Sequence, residues 1–117
     1  MDDAVALTEA LIRRARERRE GWQRRAEALR GELGPSLARL RGQGVVRRCW
    51  LIGSLAWGGY GAHSDVDLVL EGCPRERWAA VWQALSTELG TRLDLLRVED
   101  LPADFAGRVR QEGIELS

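Results

Sequence analysis

The sequence predicts one domain of the α/β or α+β class. Segments with the apolar spacing of helices alternate along the chain with short apolar runs typical of strands, and this alternation excludes an all-β fold. With 117 residues, 44% hydrophobic and 31% charged, the chain has the size and composition of a globular domain with its own core. We therefore expect a single domain over residues 1–117, with an N-terminal helical segment at 1–42 and a core at 45–116.

The first predicted element is a long helix over residues 3–33, in which apolar residues recur at steps of three and four. Pro35 is expected to end this helix, because proline lacks the backbone N–H that continues the helical hydrogen bonds. Proline also suits the first turn of a helix. We therefore expect a second, short helix that carries Leu37 and Leu40 inward and ends near Gly42.

The rest of the chain is predicted to form strands separated by helices. Short runs rich in valine, isoleucine and leucine indicate the strands, and glycines and prolines mark the ends of the helices. The predicted strands are 45–52, 66–70 and 91–98, with a short edge strand at 114–116. The predicted helices are one from about 74 to 89 with Trp78 and Trp82 in the core, and one at 102–112 with Phe105 and Val109 inward.

The most informative stretch lies in the middle of the chain. An apolar run stops at Gly53-Ser54, a glycine-rich loop follows, and a second run opens with Asp65-Val66-Asp67. Because alternate residues of a strand share a face, the two aspartates point the same way and Val66 points into the core. Side-by-side carboxylates repel each other unless a cation lies between them, and hard divalent cations prefer such oxygen ligands. The pattern predicts a metal site, beside which Gly53 and Ser54 offer backbone N–H groups and a hydroxyl to a phosphate.

A third carboxylate, Asp94, lies in an otherwise apolar strand between Leu93 and Leu95. An unpaired carboxylate is costly to bury, so this position needs a compensating partner. Two interpretations stay open here. Asp94 either joins Asp65 and Asp67 around a metal or forms a salt bridge with a neighbouring arginine.

The spacing of Gly-Ser, ten residues and Asp-x-Asp resembles the signature of the polymerase-β-like nucleotidyltransferase superfamily. Within it the chain is most similar to the minimal nucleotidyltransferases, the antitoxin partners of HEPN toxins. The resemblance covers roughly residues 45–116 and includes Arg92-Leu93-Asp94-Leu95-Leu96. It implies the polymerase-β-like nucleotidyltransferase fold, a small mixed sheet with helices packed mainly on one face, here preceded by a long N-terminal helix.

The resemblance also implies an activity and its residues. It implies a nucleotidyltransferase that uses two Mg²⁺ ions and ATP, with Asp65, Asp67 and Asp94 as catalytic and metal-binding residues. The residues that it implies for nucleotide binding are Gly53, Ser54 and Ser64. Larger relatives grip the acceptor with a second domain, so here the acceptor is expected on another protein. The expected reaction is transfer of AMP to a tyrosine of a HEPN ribonuclease toxin.

Two other functions stay open from the sequence. One is a non-catalytic antitoxin that neutralises its toxin by binding, and the other is a small-molecule nucleotidyltransferase. Trp57 stands where minimal nucleotidyltransferases often carry arginine, which leaves room for the non-catalytic antitoxin. His63, next to Ser64 and Asp65, is either solvated or in contact with a phosphate or metal.

Composition limits the binding partners and the cellular compartment that we expect for this protein. Residues 1–48 hold 12 arginines against seven acidic residues, and residues 49–117 hold six against 11. Acids interspersed among the N-terminal arginines indicate a solvated face, so direct nucleic-acid binding is not expected. The chain has no lysine, which excludes a Walker A loop. Two cysteines, no signal-peptide pattern and no apolar run of membrane-spanning length predict a cytoplasmic protein without membrane contact.

Overall fold

The computed structural model describes residues 2–116, which form a mixed four-stranded sheet with α-helices on both of its faces. The helices are α1 (Asp3–Gly42), α2 (Ser54–Trp57), α3 (Trp78–Leu89) and α4 (Ala103–Glu112). The strands are β1 (Arg48–Ile52), β2 (Val66–Glu71), β3 (Leu93–Arg97) and β4 (Ile114–Leu116). Single 3-10 turns at Arg75–Arg77 and Val98–Asp100 precede α3 and follow β3. The predicted α+β fold class and the short edge strand are confirmed.

The strands lie in the order β3-β2-β1-β4. Strand β1 pairs antiparallel with both β2 and β4, whereas β2 and β3 are parallel. A parallel pair requires a crossover connection, and α3 supplies it. In this register Asp67 of β2 lies opposite Asp94 of β3 on one side and opposite Ile52 of β1 on the other. The central strand β2 therefore carries the predicted site.

Side chains alternate between the two faces of the sheet, and helices cover one face more completely than the other. On the main face, Leu68 and Leu70 of β2 are fully buried in a core that α1 and α3 complete. On the other face, Trp50 packs with Ala106 and Val109 of α4 in a smaller cluster. The helices therefore pack mainly on one face, as predicted, and α4 covers only part of the other.

Helix α1 runs for 40 residues without a break, so the predicted end before Pro35 is wrong. Leu33 and Leu37 lie one turn apart on either side of the proline, and both are fully buried. A proline inside a helix costs about 3 kcal/mol, whereas each buried leucine contributes about 2 kcal/mol. Packing of several such residues outweighs the missing hydrogen bond. The buried apolar face of α1 consists of Ala26, Leu29, Leu33, Leu37 and Leu40.

The N-terminal half of α1 extends away from the sheet. Forty helical residues span about 60 Å, and the molecule measures 64 × 30 × 21 Å. No residue from 3 to 25 is buried, and Leu7, Leu11 and Ile12 are 54–61% exposed. The apolar spacing thus predicts the helix here but not its burial. Among the described residues, no helix is both long and apolar enough to cross a membrane.

Two tryptophans of α3 protect the edge strand β3. The indole N–H groups of Trp78 and Trp82 donate to the backbone oxygens of Leu95 and Leu93, each at 3.0 Å. Satisfied carbonyl groups make an exposed edge a poorer template for pairing with another chain. Trp78 packs against the core, but Trp82 is 40% exposed because its ring lies along the sheet edge. The predicted core position of Trp82 is therefore wrong.

Two further element predictions are corrected. Strand β1 begins at Arg48, later than predicted, and Val45 and Val46 are instead buried in the connection that enters the core. In α4, Phe105 is 39% exposed, while Ala106 and Val109 lie three residues apart on the buried face. The helix turns by about 100° per residue, which moves Phe105 away from that face.

Glu71, at the end of β2, joins the sheet to the neighbouring segments. Its side chain is 13% exposed and accepts hydrogen bonds from Arg47 Nε at 3.2 Å and Arg110 Nη2 at 3.1 Å. Burial alone would raise the pKa of Glu71, but the two arginines outweigh burial and hold this pKa below its ordinary value. The ionised form of Glu71 therefore stabilises the folded state.

We expect α1 to contribute to stability only through its C-terminal half. Leu33→Ala should lower the free energy of unfolding by about 2–5 kcal/mol, because it leaves a cavity in the core. Leu11→Ala, a matched change on the exposed half of the same helix, should lower it by less than about 0.5 kcal/mol. Urea unfolding of both variants measures the difference, and similar losses would contradict the described position of α1.

Replacing Glu71 should give a pH-dependent loss of stability. A carboxyl whose folded pKa is lowered stabilises the fold above its unfolded pKa, and this contribution is lost as pH falls through the folded pKa. Glu71→Gln should therefore cost about 1 kcal/mol at pH 7 and progressively less below about pH 4. The control is Glu112→Gln, whose exposed pair with Arg108 spans 3.5 Å. Urea unfolding at several pH values should show a pH-dependent cost for Glu71→Gln alone.

Candidate functional site

The three predicted carboxylates lie on one face of the sheet. Asp67 and Asp94 are directly opposite each other on the parallel strands β2 and β3, whose backbones are about 4.8 Å apart. Asp65 lies two residues before Asp67 and therefore shares its face. Val66, Leu93 and Leu95 point the other way and are buried in the main core. The sheet thus places the carboxylates on the face that α4 only partly covers.

The ionisation of Asp67 depends on its surroundings. Partial burial raises the pKa of Asp67, and the charges of Asp94 and then Asp65 raise it further. The cause is the loss of hydration together with repulsion between like charges. A cation at this face would relieve both, so the cluster favours a positively charged ligand.

An arginine stands next to the first of the carboxylates. Arg92 Nε lies 3.0 Å from Asp65 Oδ1, but the approach is not along the N–H bond. Among residues 2–116, this buried oxygen consequently has no hydrogen-bond partner. Asp94 forms no salt bridge with any of these residues, so the ion pair considered for Asp94 is found at Asp65 instead.

The carboxylate oxygens at this face are of the type that binds a hard divalent cation. Carboxylate oxygens are the ligands that Mg²⁺ prefers, and Asp65, Asp67 and Asp94 supply such oxygens. In the arrangement described for residues 2–116, however, no three Asp, Glu, His or Cys side chains converge closely enough to hold a metal. The carboxylates share a face but would have to turn towards one another around an ion.

The turn after β1 lies against the carboxylates. Gly53 has φ +75°, and a Cβ atom at this position would lie 2.2 Å from Asp67 Oδ2. Only glycine therefore allows this backbone to lie against Asp67. Ser54 begins α2, which Leu55 anchors in the main core with no exposed surface. The predicted phosphate-binding pair thus stands beside the carboxylate face.

Ser64, His63 and Trp57 lie in and around the glycine-rich loop. Ser64 Oγ accepts a hydrogen bond from the Gly61 N–H, and the Ser64 N–H donates to the Gly61 carbonyl, both at 3.0 Å. Ser64 therefore closes the glycine-rich loop, and His63 beside it is exposed. Trp57 is 59% exposed and donates its indole N–H to the Glu112 carbonyl at 3.2 Å, which joins α2 to the end of α4.

Sequence reasoning missed a cavity of about 670 Å³ between α1 and the loop that follows Ser54. We call it the helix–loop pocket. Trp22 of α1 meets Tyr60 of the loop edge to face, with ring centroids 6.1 Å apart. In the sequence, the pocket is indicated by Arg19 and Trp22, a charged and a large residue that occupy positions in the apolar spacing of α1. Its lining includes Arg19, Trp22, Glu27 and Arg30 of α1 and Ser54, Gly58, Gly59 and Tyr60 of the loop.

No protein-family model matches the chain, and no curated protein matches it in sequence. Solved structures do. A chain assigned as a minimal nucleotidyltransferase has a TM-score of 0.66 and 29% identity, covering 76% of this chain and 93% of that chain. A chain from a mutant MntA–HpeT toxin–antitoxin structure has a TM-score of 0.60 and 16% identity. A chain from a toxin–antitoxin structure with AMP-PNP has a TM-score of 0.60 and 18% identity, and both of these similarities cover 72% of each chain.

These similarities confirm the predicted resemblance to minimal nucleotidyltransferases. The mixed α+β architecture described above shares its fold with that chain. About a quarter of this chain has no counterpart in the structure with the TM-score of 0.66. Residues outside the shared fold can therefore give this chain contacts of its own.

We expect Gly53 to be the least replaceable glycine of the loop. Gly53→Ala should cost about 1–3 kcal/mol, because its φ is positive and the added Cβ would collide with Asp67. Gly61→Ala is the matched control, since its φ is not positive and the nearest atom to the added Cβ is 3.9 Å away. Unfolding free energies of the two variants should differ clearly, and equal values would contradict the described turn.

Proposed function

We propose that this protein is a Mg²⁺-dependent nucleotidyltransferase that transfers AMP from ATP to a tyrosine of a HEPN-type toxin. The observation that carries the proposal is the shared face of Asp65, Asp67 and Asp94 beside the Gly53–Ser54 turn. The fold likeness to a chain assigned as a minimal nucleotidyltransferase supports it. Nucleotidyl transfer needs carboxylates for cations and a phosphate cradle next to them, and this face offers both.

The proposal gives each residue a role. Asp65, Asp67 and Asp94 would hold two Mg²⁺ ions, which when bound neutralise phosphate charge and lower the pKa of the attacking hydroxyl. Ser54 and the turn backbone would bind the outer phosphates. Asp94, the exposed member of the set, would accept the proton of the incoming hydroxyl. The acceptor oxygen would attack the α-phosphorus, and pyrophosphate would leave.

The structural neighbours support a protein partner and a nucleotide. They include chains of toxin–antitoxin structures, one of which contains AMP-PNP. Another carries Asp-to-Glu substitutions at two positions two residues apart, the spacing of Asp65 and Asp67 here. In this chain the carboxylate face is only partly covered by α4, which leaves room for a protein-borne acceptor.

A second candidate function is a non-catalytic antitoxin that neutralises its toxin by binding. Arg92 beside Asp65 favours it, because a guanidinium already supplies positive charge there. The spread of the three carboxylates points the same way. The two candidates differ in whether the carboxylates are needed for anything except stability.

Intact-mass measurement of the adjacent gene's product tests the proposal. The partner is incubated with this protein, Mg²⁺ and each nucleoside triphosphate in turn. With ATP, the mass of the partner should increase by that of one or more AMP groups. The Asp65→Asn/Asp67→Asn variant should abolish the gain, because it removes the charge that holds cations. Asp104→Asn, an exposed acid of α4, is the matched control and should leave the gain unchanged.

The same experiment decides between the candidates. A stable complex without any mass gain would favour the binding antitoxin. A gain that persists in the Asp65→Asn/Asp67→Asn variant would remove the carboxylates from the reaction. Complex formation measured in parallel by size-exclusion chromatography separates lost chemistry from lost binding.

A further inference from the structure

Positive charge close to the Gly53–Ser54 turn comes from α1. The terminal phosphates of a nucleoside triphosphate need cationic partners, but residues 53–64 contain no arginine or lysine. Arg92, on the sheet, stands against Asp65. Arg19 and Arg30 of α1, in contrast, line the helix–loop pocket together with Ser54.

We propose that the helix–loop pocket binds the terminal phosphates of the nucleoside triphosphate through Arg19 and Arg30. The inference rests on the proposed function and adds two residues to it that lie outside the motif. Guanidinium groups form paired, charge-assisted hydrogen bonds to phosphate oxygens. The N-terminal helix would thus be part of the nucleotide site as well as part of the core.

Arg30 is already held at the turn. Its Nη1 donates to the Leu55 carbonyl at 2.9 Å. A guanidinium has five N–H donors, so this contact leaves donors for a phosphate. Because Leu55 is fully buried and follows Ser54 directly, Arg30 is fixed with respect to the phosphate cradle. A cation held in position before the ligand arrives loses little freedom on binding.

The pocket has the size of a ligand site. Its volume of about 670 Å³ lies within the ~300–1,000 Å³ typical of ligand sites. At Gly58 and Gly59 a Cβ atom would meet nothing within 4 Å, so the loop side stays open to a ligand. The contact of Trp22 with Tyr60, both of which line the pocket, ties α1 to the loop.

Ser54 joins the pocket to the carboxylate face. It follows Gly53, whose backbone lies against Asp67, and it also lines the pocket. A triphosphate with its α-phosphate at the carboxylates would therefore extend past Ser54 towards Arg19 and Arg30. Glu27 is the acid among the lining residues, and its charge opposes an anion there.

Calorimetric titration with AMP-PNP and with AMP tests this inference. Arg19→Ala/Arg30→Ala should weaken AMP-PNP binding by about ten-fold or more and AMP binding by less than about two-fold, because AMP lacks the terminal phosphates. Arg13→Ala/Arg14→Ala removes the same charge from the same helix outside the pocket lining and should change neither affinity. Glu27→Gln should tighten AMP-PNP binding.

Unchanged AMP-PNP affinity in the double variant would overturn the inference. Equal weakening of AMP and AMP-PNP binding would also overturn it, because it would indicate that the pocket binds the nucleoside and not the terminal phosphates. Arg19→Ala alone keeps the Arg30–Leu55 contact and should still weaken AMP-PNP binding, so misfolding cannot produce the expected result unnoticed. If the double variant still transfers nucleotide and binds AMP-PNP with unchanged affinity, the inference is wrong and the proposed function stands. If AMP-PNP binding depends on the two arginines but no nucleotide is transferred, the inference stands and the proposed function is wrong.

Discussion

The approach of the Gly53 backbone to the Asp67 carboxylate is the contact on which the rest of the site depends. It requires a positive φ and the absence of a Cβ atom, so the chain can turn sharply at the end of β1. That turn directs Leu55 into the core and starts the loop. The loop is closed by Ser64 immediately before Asp65. One glycine therefore sets the positions of the carboxylates and of the predicted phosphate cradle together.

Helix α1 links the core to this site. Its C-terminal half is locked to α3 by apolar packing and by polar contacts, including Ser36 Oγ with Glu88 Oε2 at 2.6 Å and Arg25 Nη2 with the Leu89 carbonyl at 2.9 Å. Because the helix is continuous, these contacts also fix the segment that carries Arg19 and Arg30. Ala26 belongs both to the buried face of the helix and to the pocket lining, whereas Leu33 and Leu37 lie in the core and do not line the pocket.

Charge is separated in the fold as it is along the chain. The arginine-rich part of the sequence is mostly α1, and the acidic part carries the sheet with its carboxylate face. Three like charges on one face oppose folding through their repulsion and the loss of hydration. A protein retains such a cluster at some cost in stability, and cation binding offsets that cost. The helix–loop pocket lies where the basic helix meets the loop leading to the acidic face.

The sequence by itself determined the presence and order of most helices and strands, the shared face of Asp65 and Asp67 and the glycine turn, because these depend on local periodicity and backbone preference. Tertiary structure decided what depends on distant segments. Burial on both sides of Pro35 kept α1 continuous, and the parallel register placed Asp94 opposite Asp67 across a helical crossover. The pocket between α1 and the loop likewise exists only once the helix is packed. Local patterns specify the face of a helix or strand on which a residue lies, but packing specifies which other segments contact that face.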